Sequence, residues 1–253
     1  MAGQETKRRA VITGSARGLG RSVALMLAQH KFEIALVDIG DAPLAEVEQE
    51  VAQAGGHAVS FICDVTDHAA VQVASARILD ALGGVDVLVN NAGRSQPKPV
   101  SELTEEEWDG TINVNLKSQF SWSKGLAPSM VNQGSGRIIN ISSMSGHTGG
   151  AWPAVSKAAY AAAKAGVIGF TKGLARELAP AVRVNAVCPG IMVTRLAEAY
   201  FASDIRDRIL GDIPLGRFGT PEDVAEVVVF LATAERAFLT GEIIDVDGGQ
   251  WMN

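Results

Sequence analysis

Tyr160 and Lys164 stand four residues apart, so on a helix they are neighbours on one face. A phenol titrates near ~10 and is a poor base at neutral pH, but a nearby ammonium favours its anion. The pair could therefore move a proton. The stretch that holds it, "SSMSGHTGGAWPAVSKAAYAAAK" from Ser142 to Lys164, also offers Ser142, Ser143, Ser145, His147 and Lys157. Lys157, three residues before the tyrosine, competes for the same face. A boundary tyrosine beside a solvated lysine has the same spacing, so the pair decides nothing by itself.

A second candidate is "TGSARGLG", Thr13 to Gly20. Gly14, Gly18 and Gly20 permit positive φ and close approach of backbone to a phosphate, and a following helix would aim free N–H groups at it. Asp38 lies 18 residues beyond Gly20, near the ~20 expected of an acid that accepts from an adenosine ribose. A carboxylate there repels a 2′-phosphate, and Ile39 offers no cation to hold one. NAD is therefore favoured over NADP. Arg17, inside the turn, is the counter-argument.

These groups need elements to position them. Short apolar runs alternate with helical patterns along the whole chain: "RRAVITG", "EIALVD", "AVSFICD", "VDVLVNNAG", "GRIINISS", "VRVNAVCPG" and "EIIDVDGG" read as strands. Continuously apolar strands between helices imply a parallel sheet covered on both faces. The pattern predicts one doubly wound α/β domain of about seven strands over residues 1–253. "TEEEWDGTINVNLKSQFSWSKGLAPSMVNQ" reads as one long helix opened by Thr104.

Composition sets the outer limits. Apolar residues make up 47% and charged residues 20%, with a net charge of −6 and a pI near 5.3. Nothing there attracts nucleic acid or an anionic membrane. No run reaches the ~20 apolar residues of a membrane span, and no secretory signal is visible. His30, His57, His68 and His147 are scattered, so no metal site is expected. Cys63 and Cys188 end apolar runs and read as buried reduced thiols in a cytoplasmic protein.

Taken together, the ordered motifs resemble the short-chain dehydrogenase/reductase family in its compact form of about 250 residues. They are Thr13-Gly14-x3-Gly18-x-Gly20, Asp64-Val65, Asn90-Asn91-Ala92-Gly93, Asn115 in "NVNL", Ser142-Ser143, Tyr160-x3-Lys164, and Pro189-Gly190 leading to Thr194. The resemblance implies a Rossmann-type sheet. It also implies cofactor contacts from Gly14, Arg17, Gly18, Leu19 and Gly20, from Asp38, from Asp64 and Val65, and from Asn91, Ala92 and Gly93. Pro189, Gly190, Ile191 and Thr194 would complete them at the nicotinamide end, where Tyr160 and Lys164 also touch the cofactor.

The same resemblance implies that Tyr160 is the acid/base, that Lys164 lowers its pKa, and that Asn115 distorts its helix and supports a proton relay. The family's serine stands about 13 residues before the tyrosine, yet that count lands on His147. A loop about four residues longer than usual restores the match at Ser143, with Ser142 and Ser145 as fallbacks. His147 and Trp152 either pack this loop or line a substrate pocket. Residues 195–216 resemble a substrate lid, with Leu196, Tyr200, Phe201 and Ile205 as its apolar wall.

The activity implied is hydride transfer between NAD(H) and a secondary alcohol or ketone, in a homotetramer or dimer. An NADPH-dependent 3-oxoacyl-(acyl-carrier-protein) reductase is the rival, carried by "PLGRFGTPEDVAEVVVFLA" and opposed by Asp38. A dinucleotide-binding sensor or scaffold without catalysis is the rival of another class.

Overall fold

Residues 8–150, 156–192 and 203–252 are described by a computed structural model. Its strands are β1 (Arg9–Thr13), β2 (Glu33–Asp38), β3 (His57–Ile62), β4 (Val87–Asn90), β5 (Gly136–Ile141), β6 (Val182–Pro189) and β7 (Ile243–Val246). All pair in parallel in the order β3-β2-β1-β4-β5-β6-β7. Helices α1 (Gly18–Gln29), α2 (Asp41–Gln53), α3 (His68–Leu82), α4 (Glu105–Ile112) and α5 (Ser118–Gln133) follow in the first half. The one-turn α6 (Ser145–Thr148), α7 (Ala158–Leu178), α8 (Ser203–Gly211) and α9 (Pro221–Thr233) complete the set.

Strand side chains alternate between two cores, as a two-residue period requires. Ala10, Ile12, Ile34 and Leu36 face a core shared with Leu27 of α1, Leu44 of α2 and Val228 of α9. Val11, Ala35, Val37 and Leu88 face the other, with Trp122, Leu126 and Met130 of α5 and Ile78 of α3. Each fully buried side chain of this size contributes roughly 1.5–3 kcal/mol, so neither strand face can be polar. That is why the sequence shows unbroken apolar runs.

The strand order reverses between β1 and β4, which lie side by side. Their carboxyl ends splay the following turns apart and open a crevice, the position where such sheets bind ligands.

The long helix expected from Thr104 is interrupted. Thr104 does open α4 with a capping box to Glu107, but residues Asn113–Lys117 form a π turn before α5 begins. The inserted residue rotates the following apolar face by about 100°, a single phase step that a pattern read as one long helix does not separate from ordinary scatter. No helix among the described residues is long and apolar enough to cross a membrane.

Candidate active site

A cleft of about 620 Å³ opens at the β1/β4 reversal. Its wall contains Gly14, Arg17, Gly18, Asp38, Ile39, Asp64, Val65, Asn91, Ala92 and Gly93. Each glycine of the first turn is needed for a different reason. At Gly14, φ is +65° and a Cβ would lie 3.0 Å from the Ala92 backbone. At Gly20 a Cβ would fall 2.2 Å from the Gly14 carbonyl oxygen. Gly18, at φ +54°, has open space where its side chain would be. Helix α1 starts there without a side-chain cap from Arg17, so the amides around Leu19 and Gly20 carry no side-chain partner. An open, uncapped helix start beside glycines fits a pyrophosphate.

Two ties hold this cradle. The Asn91 side chain donates to the carbonyls of Thr13 (2.9 Å) and Gly14 (3.0 Å), while the Asn91 and Ala92 amides donate to Thr13 Oγ1. Asp38 accepts from the Ala16 amide (3.0 Å) and from the Ile39 amide (2.8 Å). Its carboxylate is thus fixed between the end of β2 and the glycine turn. Asp64 accepts from the amide and hydroxyl of Thr66 and closes a local turn. The cap of α3 is Asp67, whose side chain accepts from the Ala70 amide.

The second group of residues converges at the ends of β5 and β6. Ser143 lies within hydrogen-bond reach of the Tyr160 phenol, and its Oγ accepts from the Ser145 amide at 3.1 Å. Ser142 points elsewhere: its buried hydroxyl donates to the Lys164 carbonyl at 2.8 Å. Ser143 is therefore the serine that meets the tyrosine. Lys164 is buried, donates from Nζ to the Ile141 carbonyl at 2.8 Å, and sits 5.6 Å from the Tyr160 ring centre. Lys157 is exposed and forms the N-cap of α7, where its amide donates to the Gln96 carbonyl.

Asn115 lies inside the π turn and is buried. Its amide donates to the carbonyls of Arg94 (2.9 Å) and Thr111 (3.0 Å), and its Oδ1 accepts from the Arg94 amide (3.1 Å). A Cβ on Gly93 would stand 2.8 Å from Asn115 Oδ1 and 3.5 Å from Lys164 Nζ. Gly93 thus lets the polar ends of both residues approach one short turn.

Burial controls the protonation of this group. It pushes the Tyr160 phenol above its usual value, while the hydrogen bond from Ser143 pulls the other way. It pushes the Lys164 ammonium down to about 8. The phenol beside Lys164 is thus raised, not lowered as the spacing suggested, because burial is the largest influence on it.

Gly190 donates its amide to the Val246 carbonyl, and a Cβ on it would lie 2.7 Å from Asp247, so β6 and β7 meet closely at Pro189-Gly190. Ile191 packs against the cluster of Ile209, Ile213 and Phe218 that includes part of the expected lid. Thr194, Trp152, Leu196, Tyr200 and Phe201, and the side chain of Ile205, lie outside the described residues.

One grouping was not foreseen. His147, Cys188 and Asp245 come together, their donor atoms all within 4.8 Å of one another. His147 Nε2 is 3.2 Å from Asp245 Oδ1. The two cysteines are free and buried, as their sequence setting suggested. Burial and the neighbouring Asp245 hold the Cys188 thiol up at about 12, partly opposed by bonds from Ser142 and the Ser143 amide.

The glycine cradle and the anchored acid line a cleft whose shape fits a dinucleotide, with the Ser143–Tyr160–Lys164 convergence and its phenol at one end. Residues 14–250 match the family model described as Enoyl-(Acyl carrier protein) reductase. The chain belongs to the short-chain dehydrogenase/reductase family. It is an oxidoreductase of that family.

A 3-oxoacyl-(acyl-carrier-protein) reductase of Thermotoga maritima is 40% identical over 240 residues, covering 94% of this chain and 96% of the relative. The Staphylococcus aureus protein of the same name is 39% identical over 245 residues, covering 96% and 98%. Among solved structures, a short-chain type dehydrogenase/reductase from Mycobacterium marinum superposes with a TM-score of 0.90 at 35% identity, covering 97% of this chain and 96% of that one.

Proposed function

We propose that this member of the family reduces the keto group of a 3-oxoacyl thioester, with NADH as the hydride source. The chemistry rests on one observation, the convergence of Ser143, Tyr160 and Lys164 at the end of the cleft. The substrate class is supported by the two curated relatives, which match across nearly the whole chain. It narrows the broader expectation of a secondary alcohol or ketone, since a 3-oxoacyl group is such a ketone and its product such an alcohol. The cofactor is supported by Asp38, whose carboxylate is held between the end of β2 and the glycine turn and would repel a 2′-phosphate there.

When bound, the nicotinamide supplies the hydride. Ser143 donates a hydrogen bond to the substrate oxygen and steadies its growing charge. The Tyr160 phenol gives that oxygen a proton, leaving a phenolate. Lys164 compensates the phenolate and returns a proton to it. Asn115 fixes the π turn and the Arg94 backbone beside Lys164. A phenol raised by burial stays protonated at neutral pH, which suits an acid in the reductive direction. Thr194 and the lid at 195–216 belong to this proposal as the remaining walls.

The test is a comparison of kcat/KM for 3-oxoacyl thioesters and simple ketones, each with NADH and NADPH. The thioester with NADH should be the best pair. A simple ketone reduced faster would remove the thioester assignment. Arg17, which lines the cleft, supports the rival reading with NADPH. The variant Asp38→Ala with Ile39→Arg should move the cofactor preference toward NADP(H) by about 10- to 100-fold, the worth of one or two charge-assisted bonds. An unchanged ratio would remove Asp38 from that role.

The proposal extends to a cytoplasmic homo-oligomer. Trp108, Phe120 and Val131 leave apolar surface on α4 and α5 that a second copy would cover.

A further inference from the structure

The longer loop between Ser143 and Tyr160 raises a physical problem. Extra residues between two groups that must meet increase the freedom that ordering has to remove. The chain therefore needs a fixed point within the loop. The serine end is tied to β6: the Ser142 amide donates to the Val187 carbonyl (2.8 Å) and the Met144 amide to the Pro189 carbonyl (3.1 Å). Next comes α6, which lies hard against α7. A Cβ on Gly146 would stand 2.9 Å from the Lys164 backbone.

His147 then reaches across to β7, where its Nε2 is 3.2 Å from Asp245 Oδ1, an ion-pair distance between two buried atoms that make no hydrogen bond to each other. The two side chains are 18% and 14% exposed, so little water competes with their contact. Asp245 is placed there by register, because it pairs with Cys188 of β6 and its side chain rises on the same face. The Cys188 sulfur in turn contacts the Asp245 carboxylate, the Ser142 hydroxyl and the Ser143 amide. Asp245 is thus linked to the catalytic serine's own backbone on one side and to the helical turn that follows it on the other.

We propose that His147 and Asp245 form a clamp that positions Ser143 against Tyr160. The clamp rests on the active-site reading above and adds two positioning residues to it. Neither touches substrate. Their effect comes through the placement of Ser143, where a shift of about 1 Å can cost on the order of 10²-fold in rate.

The experiment uses the full chain with His147→Gln, Asp245→Asn and the double variant. For each, kcat, KM for the ketone and dinucleotide affinity are measured. Each single variant should lower kcat by about 10-fold or more, with dinucleotide affinity within about twofold of the parent. The double variant should be no worse than the poorer single, since both remove one contact. His147→Arg places a permanent cation opposite Asp245 and should recover most of kcat, which separates positioning from mere stability if Asp245→Asn folds poorly.

Single variants that keep kcat within about twofold overturn the clamp, and so does a double variant that loses the product of the two single effects. Tyr160→Phe run alongside separates the failures. If it abolishes turnover while His147→Gln does not, the clamp alone falls. If it leaves turnover intact, the active-site reading falls.

Discussion

Replacing Tyr160 by Phe should lower kcat about 10³-fold while leaving the fold and the dinucleotide affinity nearly unchanged. The change removes one oxygen. The ring, its packing at the start of α7 and its contact with the Lys164 ammonium remain. What disappears is the phenolic O–H that meets the Ser143 side chain. General acid catalysis by a placed side chain is worth roughly 10²–10⁴-fold, and no described neighbour can substitute for it. Ser143 is tied to the Ser145 amide, and Lys164 to the Ile141 carbonyl. Losing the Ser143–Tyr160 bond should cost about 1 kcal/mol of stability, too little to unfold the domain. Steady-state rates with a fluorescence titration of dinucleotide binding give both numbers. A kcat within about tenfold of the parent would remove Tyr160 from the role of acid.

The architecture was legible because sheet burial writes itself into sequence. Strands such as Ile34–Val37, buried on both faces, can hold nothing but apolar residues. The cradle was legible for a similar reason, since Gly14 and Gly20 stand where a side chain would collide with backbone. Other features were not. The π turn at Asn113–Lys117 is a single one-residue step in an otherwise helical pattern, and family resemblance alone pointed to a distortion at Asn115. The cap of α3, Asp67, was not singled out, because Asp64 and Asp67 are both suited to such a role and only the local geometry selects between them.

Least legible was the meeting of His147 with Asp245 and Cys188. It depends on β7 lying beside β6, a fact of strand order that spacing along the chain does not carry. Two signals were present, a histidine in the loop between Ser143 and Tyr160 and an acid interrupting the apolar run "EIIDV". Neither names the other as its partner.

Lys164→Met tests the opposite side of the same chemistry, with an expected loss of activity and a gain of stability. Activity should fall about 10²-fold or more, because the phenolate left by proton transfer would face no cation. Stability should rise because the folded chain holds Lys164 at about 8, against 10.5 when exposed. The sign follows from proton binding. Between about 8 and 10.5 the unfolded chain keeps the lysine proton and the folded chain releases it. Parent stability therefore falls as pH drops through that window, and the full penalty of burying the ammonium is present below about 8. Methionine removes the penalty, although it leaves the Ile141 carbonyl without its donor, a loss of about 1 kcal/mol or more.

The balance should favour the variant by about 1 kcal/mol at neutral pH, a rise in Tm of roughly 2–4 °C for a chain of this size. The gap should close as pH rises toward 10, where the parent lysine is neutral in the folded state. Taking the difference between the two proteins at each pH cancels every other titrating group that both share. Thermal melts of the cofactor-free proteins from pH 6 to 10 give the curve. A Tm difference that is flat across this range, or a parent that is the more stable at pH 7, would mean that the buried ammonium carries no strain. A confirmed crossing would mean that the fold keeps a destabilising charge at the point where proton transfer requires one.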